Sequence, residues 1–244
     1  MAQLEDLLNE YSVDDALLGK AYDTVHPKIH AAIKTAIAVT HAMRGIVSPT
    51  QTKTLYPHLN LQCTQSCAPI STIVVLITQT SQAKLLQAAL LPRLADVPHV
   101  YAYFLEEPTL SSLLTLELAG IDVILTGSTQ PLAHFYEAFP SDTQTIVLGT
   151  CSSVKNPLFQ DATKTKIAVT DPKSFDVELI KDLQQPSFVA PEEADLIFST
   201  QPQEYGDNKL VLSPGLEAFW QTKTFRPKCF LKETTSLFLS EKKI

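Results

Sequence analysis

Ser128, Thr129 and Gln130 stand at a turn between a β-branched run, residues 122–126, and an apolar-periodic stretch that begins at Pro131. Hydroxyls at a strand-to-helix turn face the carboxyl edge of a parallel sheet, where open α/β sheets bind ligands, and they can donate to an anion at the helix N-terminus. The same residue types are ordinary helix caps, and the two roles are compatible. Glu106-Glu107-Pro108 takes an equivalent edge position, where paired carboxylates could receive ribose hydroxyls or form a solvated turn. Cys151, followed by Ser152 and Ser153, ends another β-run; a nucleophilic thiol needs a base, and His134 is the histidine this region offers. Cys63 and Cys67, with His58 nearby, have the types of a metal site, but a tetrahedron needs four ligands. Cys151 and Cys229 are isolated, so buried or linker thiols are the simpler reading. His26 and His30 lie one helical turn apart with no acidic or thiol partner at a matching spacing; a solvated helix start is the simpler reading there too.

The elements that would position these residues follow from periodicity. The first 45 residues read as helix, with Ser12 to Asp15 a capping-box-like start, Pro27 in a first helical turn and Gly45 a stop. Residues 46–72, with three prolines and little periodicity, read as an extended linker holding at most a short strand. Strand and helix then alternate: strands at 73–77, 99–105, 122–126 and 145–149, helices at 82–95, 110–119 and 131–139. This is the pattern of a parallel sheet with right-handed crossovers. Residues 151–165 read as a polar loop. Beyond it come strands at 166–169, 195–198 and 209–212, helices at 175–184 and 216–221, and a tail, 229–239, of mixed spacing. The fold class is α/β: an N-terminal helical arm with linker (1–72), a first Rossmann-like lobe (73–160) and a second lobe with the tail (161–244).

Composition bounds the function. Nineteen Lys and Arg against 26 Asp and Glu give a net charge of −7 over 244 residues. With no basic stripe, this argues against nucleic acid or an anionic membrane as main partner. The longest apolar runs fall well short of the roughly 18 residues a spanning helix needs. Met1 to Asp6 lacks the basic flank and apolar stretch of a secretory signal, and four irregularly spaced cysteines read as free thiols, so a cytoplasmic location is expected. Seven glycines, none in a G-x-G-x-x-G arrangement, leave no phosphate-cradling loop to be written.

Several stretches, in chain order, resemble histidinol dehydrogenase, a family that oxidises an amino alcohol to a carboxylate with two NAD molecules and zinc. Ala21-Tyr22 and Val25-His26-Pro27, leading into the helix that carries His41, match its N-terminal layout. Leu118 to Ile124 resembles its "LAGVDEIY" step and Gly127 to Ala133 its "GGAQAIA" turn. Val189 to Glu193 resembles "IAPEHLE", Tyr205-Gly206-Asp207 resembles "VGDY", and Phe230 to Thr235 resembles "FLKRTS". The resemblance implies NAD as a cofactor, a nucleotide site that includes Gly127, Ser128, Thr129, Gln130 and Gly149, acid/base chemistry at Glu192 and Glu193, and a homodimer.

The departures qualify the chemistry. Glu193 stands where the family's histidine belongs, and an unperturbed carboxylate with a pKa of about 4.3 is a poor base at neutrality. Burial or a like-charged neighbour could raise it. Of the zinc ligands only Asp207 has a counterpart, and one carboxylate does not hold a catalytic zinc. The glycine-rich loop after the fourth strand is reduced to Gly149. The resemblance therefore implies the dehydrogenase framework with a ligand cleft between lobes and without zinc-dependent oxidation. The alternatives are an NAD-dependent oxidoreductase of altered chemistry at Glu192 and Glu193, or an oligomeric scaffold.

Overall fold

The computed structural model describes residues 2–201, 205, 209–222 and 224–239. Three helices open the chain: α1 (Ala2–Tyr11), α2 (Asp15–Thr24) and α3 (Pro27–Arg44). The cap of α2 is Asp14, whose carboxylate accepts from Ala16 N at 2.9 Å. Ser12, expected as that cap, instead bridges Leu125, and Val13 N donates to Ile124 O at 2.8 Å. Pro27 and Gly45 take the predicted ends of α3, Gly45 with φ of 62°. His26 caps the helix through its ring, its Nδ1 accepting from Lys28 N, while His30 stacks edge-on against Tyr22.

The segment expected to be a linker is a hairpin of two long strands, β1 (Thr50–Tyr56) and β2 (Leu61–Pro69), paired antiparallel. Threonine-rich strands with both faces near solvent carry neither an apolar alternation nor a buried run, so the hydrophobic pattern is silent here.

The alternating region forms as expected. β3 (Thr72–Ile77), α4 (Gln82–Leu94), β4 (His99–Phe104), α5 (Leu110–Leu118), β5 (Val123–Thr126), α6 (Thr129–Ala138) and β6 (Gln144–Leu148) build a parallel sheet. A further strand, β7 (Phe159–Asp161), lies within the stretch expected to be polar loop and completes the order β5-β4-β3-β6-β7. Every residue of β3 is buried, as a central β-branched strand covered on both faces must be.

The second parallel sheet contains β8 (Lys166–Val169), β9 (Ser187–Phe188), β10 (Leu196–Phe198) and β11 (Leu210–Leu212), in the order β11-β10-β8-β9, with α7 (Val177–Gln184) following β8. Residues 216–221, expected to be a helix, are successive turns. Pro214-Gly215 reverses the chain, and Phe219 N bonds Leu216 O, three residues back rather than four. The tail is also regular: β12 (Leu231–Leu239) returns antiparallel to β2, so an antiparallel sheet β1-β2-β12 projects from the two lobes.

Helix α4 joins the halves. All its residues except Arg93 are buried, and it contacts α3, α5, α7 and β3. A helix apolar on all sides belongs in the interior, and here one continuous core runs from Ile73 and Val75 through Leu86 and Leu90 to Ile167 and Phe198.

Candidate ligand-binding cleft

Between the carboxyl edge of the first sheet and the amino edge of the second lies a cleft of about 730 Å³, within the size range of small-molecule sites. The first lobe contributes Lys84, in the opening turn of α4, and Asp161, the last residue of β7. The second contributes Thr165, Asp195 and Lys209, each immediately before a strand, and Trp220, Gln221 and Thr222 from the turns after β11. Lys84, Asp161, Thr163 and Thr165 also line an adjoining recess of about 90 Å³ that reaches Ser81 and Gln184.

Lys84 is only 4% exposed. Ser81 caps its helix, accepting from Lys84 N at 3.3 Å. The ammonium lies 2.9 Å from Asp161 Oδ2, donates to Thr163 O at 2.6 Å, and sits 5.5 Å from the centre of the Trp220 ring. Asp161 Oδ1 accepts from Thr163 N and Oγ1 at 2.9 and 2.8 Å. Burial pushes the Asp161 carboxyl up, but the hydrogen bonds from Lys84 and Thr163 outweigh it and hold the group below its ordinary value. A buried ammonium is retained only with such partners.

Among the described residues, four buried side-chain atoms have no hydrogen-bond partner, and three belong to this place: Thr165 Oγ1, Gln184 Oε1 and Gln221 Oε1. The orientation of Gln184 is fixed, because its Nε2 donates to Glu217 O and Phe219 O, both at 2.9 Å. Each orphaned acceptor costs about 1–3 kcal/mol. All three atoms are shielded from solvent, beneath the lining of the cleft rather than on its open surface.

Sequence reasoning did not single out these residues. One signal was present: Lys84 is the lone charge in an otherwise uncharged, Ala/Leu-rich run from Gln82 to Pro92, and a charge placed there needs a counter-ion from elsewhere in the chain.

The described residues that the sequence did single out do not line the cleft, although Gly149 N donates to the carbonyl of Asp161, a lining residue, at 2.8 Å. Gly127 permits a close approach, but the chain itself uses it. A Cβ there would meet Tyr103 Oη at 2.3 Å, and that hydroxyl donates to Ser128 O at 2.9 Å. Burial, with Tyr11 nearby, pushes the Tyr103 phenol up to about 12. Ser128 caps α6 without a side-chain bond, Thr129 is exposed, and the Gln130 side chain lies outside the described residues. Gly149, with φ of 108°, leaves room for Thr78: a Cβ would fall 1.8 Å from Thr78 Oγ1. The Thr78 N–H and hydroxyl bond Leu148 O, and Thr150 N donates to Thr78 Oγ1. Both glycine spaces are thus filled by protein side chains.

Glu192 and Glu193 are exposed on a turn before β10 and do not line the cleft; the Glu192 carbonyl accepts from Lys209 Nζ at 2.8 Å, and Glu193 N donates to Ala190 O at 3.0 Å. Asp207 lies outside the described residues. Cys63 and Cys67 sit on one face of β2, and four residues of strand separate them by about 13 Å, too far for one ion. Among the described residues no group of three His, Cys, Asp or Glu could hold a metal. Cys151 packs into the apolar cluster that includes Phe135, while His134 is exposed. Glu106 and Glu107 are exposed beside a separate groove of about 200 Å³ at the first sheet's carboxyl edge. No helix among the described residues is long and apolar enough to cross a membrane.

No protein-family model and no curated protein matches the sequence. Solved structures do resemble the fold. Histidinol dehydrogenase from Elizabethkingia anophelis superposes with a TM-score of 0.55 at 12% identity, covering 95% of this chain and 77% of that one. A putative aldehyde dehydrogenase from Bacillus subtilis (TM-score 0.40, 10% identity) is covered over 55% of its length by 81% of this chain. A betaine aldehyde dehydrogenase from Staphylococcus aureus (TM-score 0.37, 10% identity) is covered over 45%, again by 81% of this chain. At such identities the likeness speaks for architecture alone: the chain has a Rossmann-like α/β fold whose arrangement is similar to that of histidinol dehydrogenase.

Proposed function

We propose that this chain is a dehydrogenase-fold binding protein that holds a small ligand in the cleft between its lobes and does not perform zinc-dependent oxidation. The observation that carries this reading is the filling of both matched glycine spaces, by Tyr103 and by Thr78, while the space around Lys84 stays open. Glu193 in place of an imidazole supports it, since that carboxylate stands on an exposed turn outside the cleft. Metal analysis of the purified protein and an NADH-forming assay with histidinol test it: the expected result is no turnover, and stoichiometric zinc with turnover overturns it. The competing oxidoreductase reading requires NAD-dependent activity that disappears in Glu192→Gln.

A homodimer is the partner reading. Leu237, Phe238 and Leu239 of β12 are each more than 60% exposed at the free end of the antiparallel sheet, close to Leu55 and Leu61 in register. Clustered apolar side chains of this kind mark association surfaces. Light scattering across a concentration series is expected to give twice the chain mass; a monomer throughout removes this reading.

A further inference from the structure

The antiparallel sheet β1-β2-β12 changes character along its length. In register, Tyr56, Leu61 and Leu239 share one face with Cys63 and Leu237, while Leu55 and Phe238 flank Gln62 on the other. The end of the sheet away from the lobes is therefore apolar on both faces, whereas the nearer stretch presents Thr50, Gln51, Thr52, Thr234 and Thr235. A strand that packs one face on a core alternates apolar with polar. The unbroken run Leu237-Phe238-Leu239 asks for cover on both faces. Leu55, Tyr56, Leu59, Leu237, Phe238 and Leu239 are 39–75% exposed. At about 150–250 Å² for a fully exposed large side chain, they offer on the order of 600 Å² of apolar surface, the top of what a monomer leaves open. Two copies joined there would bury on the order of 1,200 Å², where stable interfaces begin. Two features point to a second copy as the cover. The sheet end carries both halves of a contact: a groove of about 400 Å³ lined by Leu55, Leu61, Phe238 and Leu239, and beside it Leu59, set between the lining residues Pro57 and Asn60. A knob and a groove on one patch are what a two-fold contact uses on both partners. Residues 54–71 and 234–239 also contain no Asp, Glu, Lys or Arg, so two chains of net charge −7 can meet there without opposing like charges.

We infer that two copies of this chain join end to end through these sheets about a two-fold axis, the Leu59 of each seated in the groove of the other. This rests on the homodimer reading and names the surface that makes it, and the test separates the two claims. Sedimentation of the intact protein is compared with that of Phe238→Glu, Leu59→Glu and Met43→Glu, far-ultraviolet circular dichroism confirming that each variant is folded. Met43 is exposed after α3, away from this sheet, and serves as the control. Phe238→Glu and Leu59→Glu are each expected to weaken association at least a hundredfold, by placing a charge in a desolvated contact, and Met43→Glu to leave it unchanged. Should one of the two sheet variants fail to fold, the other decides. Thiol labelling supplies a second readout. Cys63 lies on the apolar end, and Cys67 lies on the same face of β2 beside Thr50 and Glu233. Maleimide labelling mapped by mass spectrometry is expected to slow at least tenfold at Cys63 as the protein is concentrated, with Cys67 unaffected. A dimer that survives both sheet variants, with Cys63 labelled at an unchanged rate, keeps the homodimer and overturns this interface. A monomer at every concentration overturns both claims. A monomer that sediments with phosphatidylcholine vesicles, and ceases to in Phe238→Glu, assigns the patch to a lipid surface and likewise overturns them.

Discussion

Two glycines and one lysine carry most of the functional reading. At Gly127 and Gly149 a missing side chain makes room, but the occupant is Tyr103 in one case and Thr78 in the other. Gly127→Ala is accordingly expected to destabilise by about 1–3 kcal/mol, as overpacking does, lowering the melting temperature by several degrees. In a Tyr103→Phe background the penalty should shrink, because the nearest clashing atom is gone; equal penalties in both backgrounds would mean that the phenol does not fill this space. Lys84 makes the opposite demand, since its removal leaves Asp161 without its ammonium. Lys84→Met is expected to cost about 3–5 kcal/mol, and the double variant Lys84→Met, Asp161→Leu much less, because removing both charges relieves what removing one creates. Urea denaturation of the two variants measures the difference.

Among the elements, the antiparallel sheet is what the sequence concealed. The parallel strands were legible because β3 and β6 are buried on both faces and read as unbroken apolar runs. β1 is exposed along its whole length and β12 along most of it, so burial left no imprint on either. The pairing of β2 with β12, more than 160 residues apart, has no local signature. The cleft was hidden for a related reason: Lys84, Asp161 and Trp220 meet only through the packing of two sheets, and none sits in a recognisable motif. Conversely, the motif-like residues Gly127, Ser128 and Glu192 were easy to read but lie outside that cleft. The projecting sheet is clasped to the first lobe at Asp142, which receives Lys232 of β12 and the Ser71 hydroxyl at 2.5 Å. These hydrogen bonds, Lys232 first and then Ser71, hold the Asp142 carboxyl down to about 2. Its folded value lies below the unfolded value of about 3.9. The clasp therefore adds stability above roughly pH 4 and loses it as pH falls through about 2. Asp142→Asn should flatten that part of the curve of melting temperature against pH; an unchanged acid limb would show that the clasp does not act.

For the molecule as a whole, the decisive feature is that two parallel sheets share one core. Domains that touch through a small polar surface unfold separately, whereas a continuous apolar core couples them. Here α4 is buried between the lobes, with Leu86 and Leu90 in the same cluster as Ile73 of the first sheet and Phe198 of the second. The charged contact across the cleft, Lys84 to the Trp220 ring, adds a directional restraint between the lobes. The lobes should therefore unfold as one unit. Trp220 reads the second lobe from its position on the cleft wall, while far-ultraviolet circular dichroism weights the helices, most of which belong to the first half of the chain. In urea the two signals are expected to give superimposable transitions with one midpoint. If Trp220 changes at a lower urea concentration than the helical signal, the core between the sheets is divided, and the cleft is then a boundary between independent domains rather than a built feature of one.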